Sequence, residues 1–438
     1  MGFVLFGIFT VMEVGLLVWT LKKQGRKGDW LRNSTAVRAV ETAVFLLVVL
    51  LSEGGISFRF KICLLVLFLR LAVSLVFWLF KRKKALGPKS KSGAAVSTCM
   101  GILVLGISLM PAFLFTGYAG LPTTGEYEVK QASAILVDES RIETFESDGS
   151  FREVPVYFYY PDTENTGAEQ FPLVLFSHGA FGYYQSNTST YMELASHGYV
   201  VVSMDHPYHS FFTKDSDGKL ITVNPEFLNE VMRVDSDEAA PEEVQEISHK
   251  WLEIRTADMC FVLDSLEEDA VPSDIRTILA NADLEQIGLM GHSLGGAASV
   301  QLGRDREDID AVIDIDGTML GERIAFENGA YKHYETPYPV PVLALDNEEH
   351  HQVNMEQREA YTNWYVLKHA KDGMETWISG SEHMNFTDLP LFSPILATKL
   401  GTGSRDAREC VEIMNEIVLQ YFDHYLKGKG ELNIKESY

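Results

Sequence analysis

The sequence predicts a protein of the α/β class, with a mostly parallel sheet covered by helices and, before it, a bundle of about four transmembrane helices. Two observations predict this architecture. Four apolar stretches occupy residues 1–117. After them, short apolar runs alternate with helical patterns, as in parallel sheets that are covered on both faces. We therefore expect a multi-pass membrane anchor at residues 1–120 and a second domain at residues 121–438.

The four apolar stretches cover residues 1–21, 37–51, 62–80 and 94–117. A helix needs about 20 apolar residues to cross the hydrocarbon core, so the first, third and fourth stretches are long enough and the second is marginal. A cleaved signal peptide is the alternative for the first stretch. No Lys or Arg precedes its apolar part, however, and further spans follow it, so we interpret it as a span.

Basic residues follow the first and third stretches. Loops rich in Lys and Arg stay in the cytoplasm. Both of these loops can be cytoplasmic only if the second apolar stretch also crosses the membrane. The N-terminus and the second domain then face outward, which predicts a cell-membrane protein with an extracytoplasmic second domain. The basic residues are Lys22, Lys23, Arg26, Lys27 and Arg32 in the first loop, and Lys81, Arg82, Lys83, Lys84, Lys89 and Lys91 in the second.

Three ionisable residues, Glu13, Glu41 and Arg70, lie in apolar stretches. Such groups are costly within a membrane unless they are paired. We interpret them as a structural ion pair between helices. The alternative is a polar site in the bundle that binds a lipid or an ion.

Composition excludes two classes of protein. Residues 1–93 hold 15 Lys and Arg and 4 Asp and Glu, which gives them a net positive charge. The whole chain carries a net charge of −24, so the remaining residues carry −35. A domain this acidic would repel nucleic acid, which excludes it as a partner. Four Cys residues are too few for a disulfide-dense scaffold. We interpret Cys260 and Cys410 as two separate buried thiols.

The second domain shows the alternation of strands and helices most clearly. An alternating pattern at residues 151–160 and several continuous apolar runs predict strands. Residues 209–245 are acidic and turn-rich, and we expect them to form an insertion or lid over the sheet. Strands are expected at residues 151–160, 172–177, 199–204, 287–290, 311–315, 340–345 and 375–378, and helices at residues 189–197, 242–266, 295–302 and 405–425.

The strand that ends at Met290 leads directly into Gly291-His292-Ser293-Leu294-Gly295, followed by small residues and a helical pattern. This is the G-x-S-x-G nucleophile elbow between a strand and a helix, and it predicts the α/β-hydrolase fold with Ser293 as nucleophile. The glycines are expected because the serine backbone is strained and neighbouring chain segments pass close to it.

A serine needs a base to take its proton, and an acid and a histidine should follow it along the chain. Asp316, just after the run at residues 311–315, is the preferred acid. The alternatives are Asp346, after the next strand, and Asp314, which would lie deeper in the sheet. His383 follows the last expected strand and is the predicted base.

The other histidines have simpler interpretations. His292 belongs to the elbow, and we place His206, His209 and His333 in loops. His350 and His351 stand beside Glu348 and Glu349, but their spacing does not arrange several ligands around one metal ion. We therefore expect neither a metal nor an organic cofactor.

The tetrahedral intermediate of acyl transfer needs two backbone N–H donors. One should be Leu294, directly after the nucleophile. The other should come from residues 177–182, at the end of an earlier buried strand, with Ala180 as the best candidate.

Five segments of the second domain resemble those of one enzyme family: F-P-L-V-L-F-S-H-G (171–179), E-L-A-S-H-G-Y-V-V (193–201), G-H-S-L-G-G-A (291–297), D-G-T-M (316–319) and G-S-E-H-M-N-F (380–386). They are similar to the platelet-activating-factor acetylhydrolases, serine-dependent and calcium-independent phospholipases that remove short or oxidised sn-2 acyl groups. The resemblance covers roughly residues 125–428. It implies Ser293, Asp316 and His383 as the triad, with Ala180 and Leu294 as oxyanion donors.

Two features depart from that family. The second glycine of its H-G-x-G pattern comes one residue late, at Gly182, and the membrane anchor is not part of the animal enzymes. We predict an esterase acting on short-acyl phospholipids or other lipophilic esters at a membrane. The alternatives are a general carboxylesterase, lipase or polyester hydrolase, a peptidase or thioesterase on the same site, and a non-catalytic membrane sensor.

Overall fold

The computed structural model of the protein describes residues 1–23, 27–53, 55–81, 90–118, 120–162, 170–236, 238–268 and 270–438. Five of the basic residues used above to orient the spans lie outside the described residues: Arg26, Arg82, Lys83, Lys84 and Lys89. The chain divides into two compact units. The first comprises Met1–Ala119 and Leu391–Leu396, and the second comprises Gly120–Pro390 and Ala397–Tyr438.

Five helices form most of the first unit, and four of them are long and apolar enough to cross a membrane. The second helix begins well before its apolar stretch, because the polar residues from Lys27 onward continue the same helix. The fourth helix was expected to reach Gly117 but ends at Ser108. Pro111, which lacks the N–H that a helix interior requires, stands in the first turn of the next helix. The helices are α1 (Gly2–Lys23), α2 (Lys27–Glu53), α3 (Phe58–Lys81), α4 (Lys91–Ser108) and α5 (Met110–Leu114).

Three helices of the first unit share a buried ion cluster. Arg70 of α3 bonds Glu13 of α1, and its Nη1 lies 3.3 Å from Oε2 of Glu41 of α2. Helix α4 passes close to them at Gly101, where a Cβ would lie 3.0 Å from Nη2 of Arg70. The predicted ion pair between helices is confirmed. Because both carboxylates are buried, pairing with the guanidinium of Arg70 offsets part of the cost of burying their charges.

A short segment from far along the chain belongs to the first unit. The hydroxyl of Thr116 donates to the carbonyl of Leu391 at 2.7 Å, and its N–H donates to the carbonyl of Phe392 at 2.9 Å. The hydroxyl of Ser393 donates to the carbonyl of Leu114 at 2.7 Å. Three hydrogen bonds therefore tie the segment to the chain that follows α5.

The second unit is built on one eight-stranded sheet. The strands of the unit are β1 (Val129–Ile142), β2 (Phe151–Pro161), β3 (Phe171–Ser177), β4 (Val200–Met204), β5 (Phe212–Lys214), β6 (Leu220–Thr222), β7 (Ala282–His292), β8 (Ala311–Ile315), β9 (Arg323–Glu327), β10 (Ala330–His333), β11 (Val342–Asn347) and β12 (Gly373–Ile378). Strands β5 and β6, and β9 and β10, form two hairpins. The other eight lie in the order β1-β2-β4-β3-β7-β8-β11-β12.

Seven helices lie between strands along the described chain, and three more follow the last strand. The first seven are α6 (Thr188–Ser196), α7 (Pro225–Asp235), α8 (Pro241–Glu267), α9 (Ser273–Leu279), α10 (Leu294–Asp305), α11 (Glu348–Gln357) and α12 (Thr362–His369), and the last three are α13 (Leu389–Phe392), α14 (Pro394–Leu400) and α15 (Ala407–Lys427). Three short 3₁₀ helices cover Leu320–Glu322, Arg358–Ala360 and His383–Phe386. The buried faces of α8, α10 and α15 carry mostly apolar residues, as helices packed on a sheet require.

The central strands of the sheet are buried and run parallel to one another. Every residue of β3, β4, β8 and β11 is buried, which explains why these strands read as continuous apolar runs. From β4 to β12 all neighbours are parallel, and β1 and β2 are antiparallel at one edge. The predicted α/β class is confirmed. Strand β1 was not expected, because much of it is exposed and polar residues interrupt its apolar pattern.

The segment expected to be an insertion or lid, residues 209–245, lies between β4 and α8. It contains the β5–β6 hairpin, helix α7 and the first turn of α8. Helix α7 buries Phe227 and Val231, four residues apart on one face, while Leu228 and Met232 remain exposed. Helix α7 thus packs one of its faces and exposes the other.

We predict that Arg70→Met lowers the stability of the first unit by about 3–5 kcal/mol, because it leaves two buried carboxylates without a partner. Thermal unfolding of the full chain in detergent checks this result. The triple variant Glu13→Gln, Glu41→Gln, Arg70→Met serves as the control, since it removes all three charges together. Recovery of most of the lost stability is expected there, and a triple variant as unstable as Arg70→Met would contradict the charge argument.

Candidate active site

The backbone reverses sharply at Ser293, between β7 and α10. Ser293 has φ 57°, a left-handed conformation that is unfavourable for a residue with a Cβ. A Cβ at Gly295 would lie 2.0 Å from the carbonyl oxygen of Ser177, and a Cβ at Gly291 would lie 2.2 Å from the Gly295 backbone. The expected reason for both glycines, close approach of neighbouring chain, is therefore confirmed. The turn leaves the serine partly exposed at the carboxyl end of the parallel strands.

His383 and Asp316 meet at the same end of the sheet. The Nδ1–H of His383 donates to Oδ2 of Asp316 at 2.6 Å. Asp316 follows β8 and is buried, whereas the His383 side chain is 38% exposed. Because Nδ1 is occupied by the carboxylate, Nε2 is the nitrogen available to accept a proton.

Asp316 keeps its charge because donors surround it. The backbone N–H and the side-chain amide of Asn347 donate to its two oxygens at 2.8 and 2.9 Å. Nδ1 of His350 lies 3.2 Å from Oδ1. Burial would raise the pKa of Asp316, but the contacts with His350 and His383 hold it well below the ordinary value.

The two alternative acids lie in the same region without reaching His383. The carboxyl groups of Asp314 and Asp346 are buried, and neither has a hydrogen-bond donor among the residues that the structure describes. Burial raises the pKa of Asp314 to about 8 and that of Asp346 well above its ordinary value. At neutral pH, Asp316 is therefore the ionised member of the three.

The loop that carries His383 is fixed by backbone contacts. Its 3₁₀ helix begins with a reciprocal pair, in which the N–H of Glu382 donates to the Asn385 side chain at 2.9 Å and the Glu382 side chain accepts in return. The side-chain amide of Asn187 donates to the carbonyl of Phe386 at 2.6 Å. The imidazole thus stands on a short, rigid element.

Ser293 and His383 are not hydrogen-bonded among the described residues, although the residue next to Ser293 contacts His383. The ring of His292, adjacent to the serine, lies 4.5 Å from the ring of His383. Within the described part of the chain, Oγ of Ser293 has no hydrogen-bond partner at 3.5 Å or less. Catalytic hydrogen bonds commonly tighten only when substrate binds. Burial lowers the pKa of His292 to about 3, so this neighbouring imidazole stays neutral.

The loop after β3 approaches the serine closely. A Cβ at Gly179 would lie 3.2 Å from Cβ of Ser293. In the described residues, neither the N–H of Ala180 nor that of Leu294 has a hydrogen-bond acceptor. The N–H of Leu294 is the first of α10, whose N-terminal end also attracts negative charge. Both predicted oxyanion donors thus have no hydrogen-bond acceptor among the described residues. Leu294 directly follows Ser293, and Ala180 directly follows Gly179, the residue that approaches Ser293.

The insertion lies against this loop. The N–H of Phe181 donates to the carbonyl of His209 at 3.2 Å, and the ring of Phe181 lies 5.4 Å from that of Phe227 of α7. Helix α7 therefore borders the loop after β3 through Phe227.

A comparison with known families supplies the decisive observation. The model of the family "Platelet-activating factor acetylhydrolase, isoform II" matches residues 152–437. The chain belongs to this family. The resemblance found in the five sequence segments is thus confirmed, and the matched range contains the elbow, Asp316 and His383.

Relatives in the acetylhydrolase family are distant. Platelet-activating factor acetylhydrolase of Cavia porcellus is 23% identical over 273 residues, which cover 59% of this chain and 58% of the relative. A probable 1-alkyl-2-acetylglycerophosphocholine esterase of Arthroderma benhamiae is 24% identical over 282 residues, covering 59% and 62%. The matches therefore span about three fifths of the length of these relatives.

A solved structure supports the fold. Ferulic acid esterase from Streptomyces cinnamoneus superposes with a TM-score of 0.54 at 22% identity, covering 72% of this chain and 94% of the esterase. At this identity the likeness concerns the fold alone. Together with the strand order, it identifies the second unit of this acetylhydrolase-family chain as an α/β-hydrolase fold.

The candidate site of this chain also contains groups that could hold a metal ion. Among the described residues, two sets of side chains offer ligand atoms within 4.8 Å of one another: His292, Asp316 and His383, and Asp316, Asp346 and His350. Both sets share Asp316, so an ion in either would compete with the contact between Asp316 and His383. The four residues His350, His351, Glu348 and Glu349 do not form a set, because His351 bonds Glu375 at 2.8 Å and stacks on Trp377.

Sequence reasoning missed His350 and Asn347 as neighbours of the acid. Asn347 ends β11, which is parallel to β8, so the ends of both strands meet at Asp316. His350 follows on α11, whose first N–H groups include one that bonds the Asn347 side chain at 2.8 Å. The run D-N-E-E-H at residues 346–350, directly after a buried strand, was the available signal.

His350 provides a test of these electrostatics. Burial alone would lower its pKa, but contact with Asp316 and the nearby Asp346 and Asp314 raise it to about 9. The unfolded-state pKa is about 6.5, so the stabilisation is fully present below that pH and is lost as the pH rises through 9. We predict that His350→Gln costs up to about 3 kcal/mol at pH 6 and little at pH 10.

Thermal unfolding of the full chain across this pH range measures the difference between wild type and variant. The matched control is His351→Gln, whose imidazole bonds Glu375 instead of the acid cluster. A stability difference for His350→Gln that is independent of pH would contradict the ion pair with Asp316.

Proposed function

We propose that this protein is a serine-dependent carboxylic ester hydrolase, with Ser293 as nucleophile, His383 as general base and Asp316 as the residue that orients the base. One observation carries the proposal. The hydrogen bond between His383 and the buried, ionised Asp316 lies beside a serine on a strained elbow. Membership of the acetylhydrolase family and the esterase fold support the same reaction class.

The acylation step begins when Oγ of Ser293 attacks the ester carbonyl. His383 accepts the serine proton at Nε2, and Asp316 stabilises the imidazolium that forms. A bond forms between Oγ and the carbonyl carbon, and the carbonyl oxygen becomes an oxyanion. When this intermediate collapses, the bond to the alcohol oxygen breaks and His383 returns the proton to that oxygen.

The deacylation step repeats the chemistry with water. His383 takes a proton from a water molecule, which attacks the acyl carbon, and the proton then returns to Ser293 as the acid is released. In both steps the oxyanion would be held by the N–H groups of Ala180 and Leu294. No partner competes for these two donors within the described residues.

The substrate we propose is a lipophilic ester, foremost a phospholipid with a short acyl chain. The names of the relatives refer to acetylhydrolase and acetylglycerophosphocholine esterase activity. Four helices long and apolar enough to cross a membrane would keep the catalytic unit at a bilayer. Lipid esters are presented there at high effective concentration.

The location we propose is a cell membrane, with multiple spans and the catalytic unit on the extracytoplasmic side. Two clusters of Lys and Arg support this orientation, one after each odd-numbered span. An accessibility assay can test it: a cysteine introduced at an exposed position of the catalytic unit should react with a membrane-impermeant maleimide on intact cells.

The experiment that tests the function is hydrolysis of p-nitrophenyl esters from acetate to palmitate, together with a short-acyl phosphatidylcholine. It uses the full chain in detergent, with Ser293→Ala as control. We expect activity on short chains that disappears in the variant. Amide and thioester analogues measured in parallel would expose a peptidase or thioesterase. A folded protein that neither hydrolyses esters nor reacts with a fluorophosphonate would favour a non-catalytic sensor.

The choice of acid gives a sharper prediction. Asp316→Asn should lower kcat by about 10³–10⁴-fold, because the imidazole would be held in the wrong tautomer. Asp346→Asn, a change of equal size in a carboxyl that does not contact His383, should lower kcat by less than about tenfold. Steady-state kinetics on the same ester compare the two. A larger loss in Asp346→Asn would assign the acid to Asp346.

A further inference from the structure

A second Ser-His-Asp arrangement lies behind the loop after β3. Oγ of Ser177 is 2.9 Å from Nε2 of His206, and Nδ1 of His206 is 3.0 Å from Oδ2 of Asp258. All three residues are fully buried, so no ester reaches Ser177. The arrangement therefore needs an explanation other than a second catalytic triad.

Arg255, one turn before Asp258 on α8, connects this buried network to the loop. Its side chain is fully buried. Nη1 donates to the carbonyl of His178, and Nη2 donates to the carbonyl of Gly179 at 3.2 Å. Nη1 also lies 3.4 Å from Oγ of Ser177. One guanidinium thus binds two successive carbonyl groups of the loop.

The charge of Arg255 is not paired with a carboxylate. Asp258 instead binds Arg152 through both oxygens, at 3.0 and 2.7 Å, and also Arg141 and His206. Among the described residues, no carboxylate oxygen lies within 4.0 Å of the Arg255 guanidinium. Its Nε has no acceptor there either. Burying an unpaired cation is costly, which points to a role beyond packing.

The carbonyl of Gly179 is the focus of these contacts. It accepts from Nη2 of Arg255, from the N–H of Gly182 at 3.1 Å and from Nδ1–H of His178 at 2.7 Å. In a trans peptide the carbonyl and the following N–H point in opposite directions. Three donors on the Gly179 oxygen therefore turn the N–H of Ala180 away from Arg255.

We propose that Arg255 is a positioning residue for acylation, which aims and polarises the Ala180 N–H toward the oxyanion. This inference rests on the proposed function, because it assigns Ala180 as an oxyanion donor. The peptide between Gly179 and Ala180 lies next to the serine, since a Cβ at Gly179 would lie 3.2 Å from Cβ of Ser293.

Two effects of Arg255 act in the same direction. A cation bound to a carbonyl withdraws electron density through the peptide and strengthens the hydrogen bond that its N–H donates. The positive charge itself also stabilises the developing oxyanion, and low-dielectric surroundings weaken this attraction little. Burial lowers the pKa of Arg255 to about 9, so the guanidinium remains charged at neutral pH.

Asp258 and His206 support this arrangement from the other side. Burial and the charge of Arg255 lower the pKa of His206 to about 4, although Asp258 opposes them. The neutral ring donates to Asp258 and accepts from Ser177, the last residue of β3. The buried network therefore fixes the point where the strand ends and the oxyanion loop begins.

The experiment compares Arg255→Met and Arg255→Lys in the full chain with Arg304→Met. Arg304 is another largely buried arginine of this unit, paired with Glu322 and without contact to the loop. Three quantities are measured: kcat/KM on a p-nitrophenyl ester, the inhibition constant of an alkyl trifluoromethyl ketone, and that of the matching secondary alcohol. The ketone forms a tetrahedral oxyanion with the serine, whereas the alcohol cannot.

We expect Arg255→Met to lower kcat/KM by roughly 10–100-fold and to weaken ketone inhibition by a similar factor. Alcohol inhibition and KM should change by less than about threefold. Arg255→Lys keeps the charge but not the two-carbonyl contact, and should fall between Arg255→Met and wild type. Arg304→Met should match the wild-type kcat/KM within about twofold, even if its melting temperature falls.

Two outcomes would overturn the inference. In one, both Arg255 variants keep kcat/KM and ketone affinity within threefold of wild type. In the other, the alcohol weakens as much as the ketone, which would indicate general damage to the site. If Arg255→Met does not fold, Arg255→Lys decides by the same comparison. Absence of Ser293-dependent hydrolysis in the wild type would instead refute the proposed function itself.

Discussion

The backbone reversal at Ser293 is the constraint on which the second unit depends. A left-handed conformation at a residue with a side chain costs on the order of 1–3 kcal/mol and persists only where the surroundings enforce it. Here the N–H of Ser293 donates to the carbonyl of Ile315 at 2.8 Å, and Gly295 packs against the end of β3. The carboxyl ends of three parallel strands are thereby held together, which brings Ser293, Asp316 and the loop after β3 close to one another.

Around this turn, one rule separates the charged from the neutral groups. A buried carboxyl that receives several N–H donors remains ionised, and one without donors binds a proton. Asp316 belongs to the first kind and Asp314 and Asp346 to the second, although all three are equally buried. Among these three carboxyl groups, the negative charge is thus concentrated on Asp316, which bonds Nδ1 of His383.

The sequence was most informative where local pattern and burial coincide. Fully buried strands such as β8 read as apolar runs, and the elbow is recognisable because its glycines are dictated by contacts within a few residues. Features that depend on distant parts of the chain were missed. Nothing near Arg255 in the sequence shows that it binds carbonyls 76 and 77 residues away. The position of His350 beside Asp316 likewise depends on the ends of β8 and β11 lying next to each other.

The segment Leu391–Leu396 belongs to the helical first unit, although the residues on both sides of it belong to the second unit. The two units are therefore interleaved along the chain, and no single cut separates them. Exchange of the helical unit between genes would require three coordinated joints, two of them at the ends of a short segment that begins a few residues after the 3₁₀ helix of His383. An arrangement of this kind favours inheritance of the two units as one piece, in contrast to proteins whose helical segments are simple terminal additions.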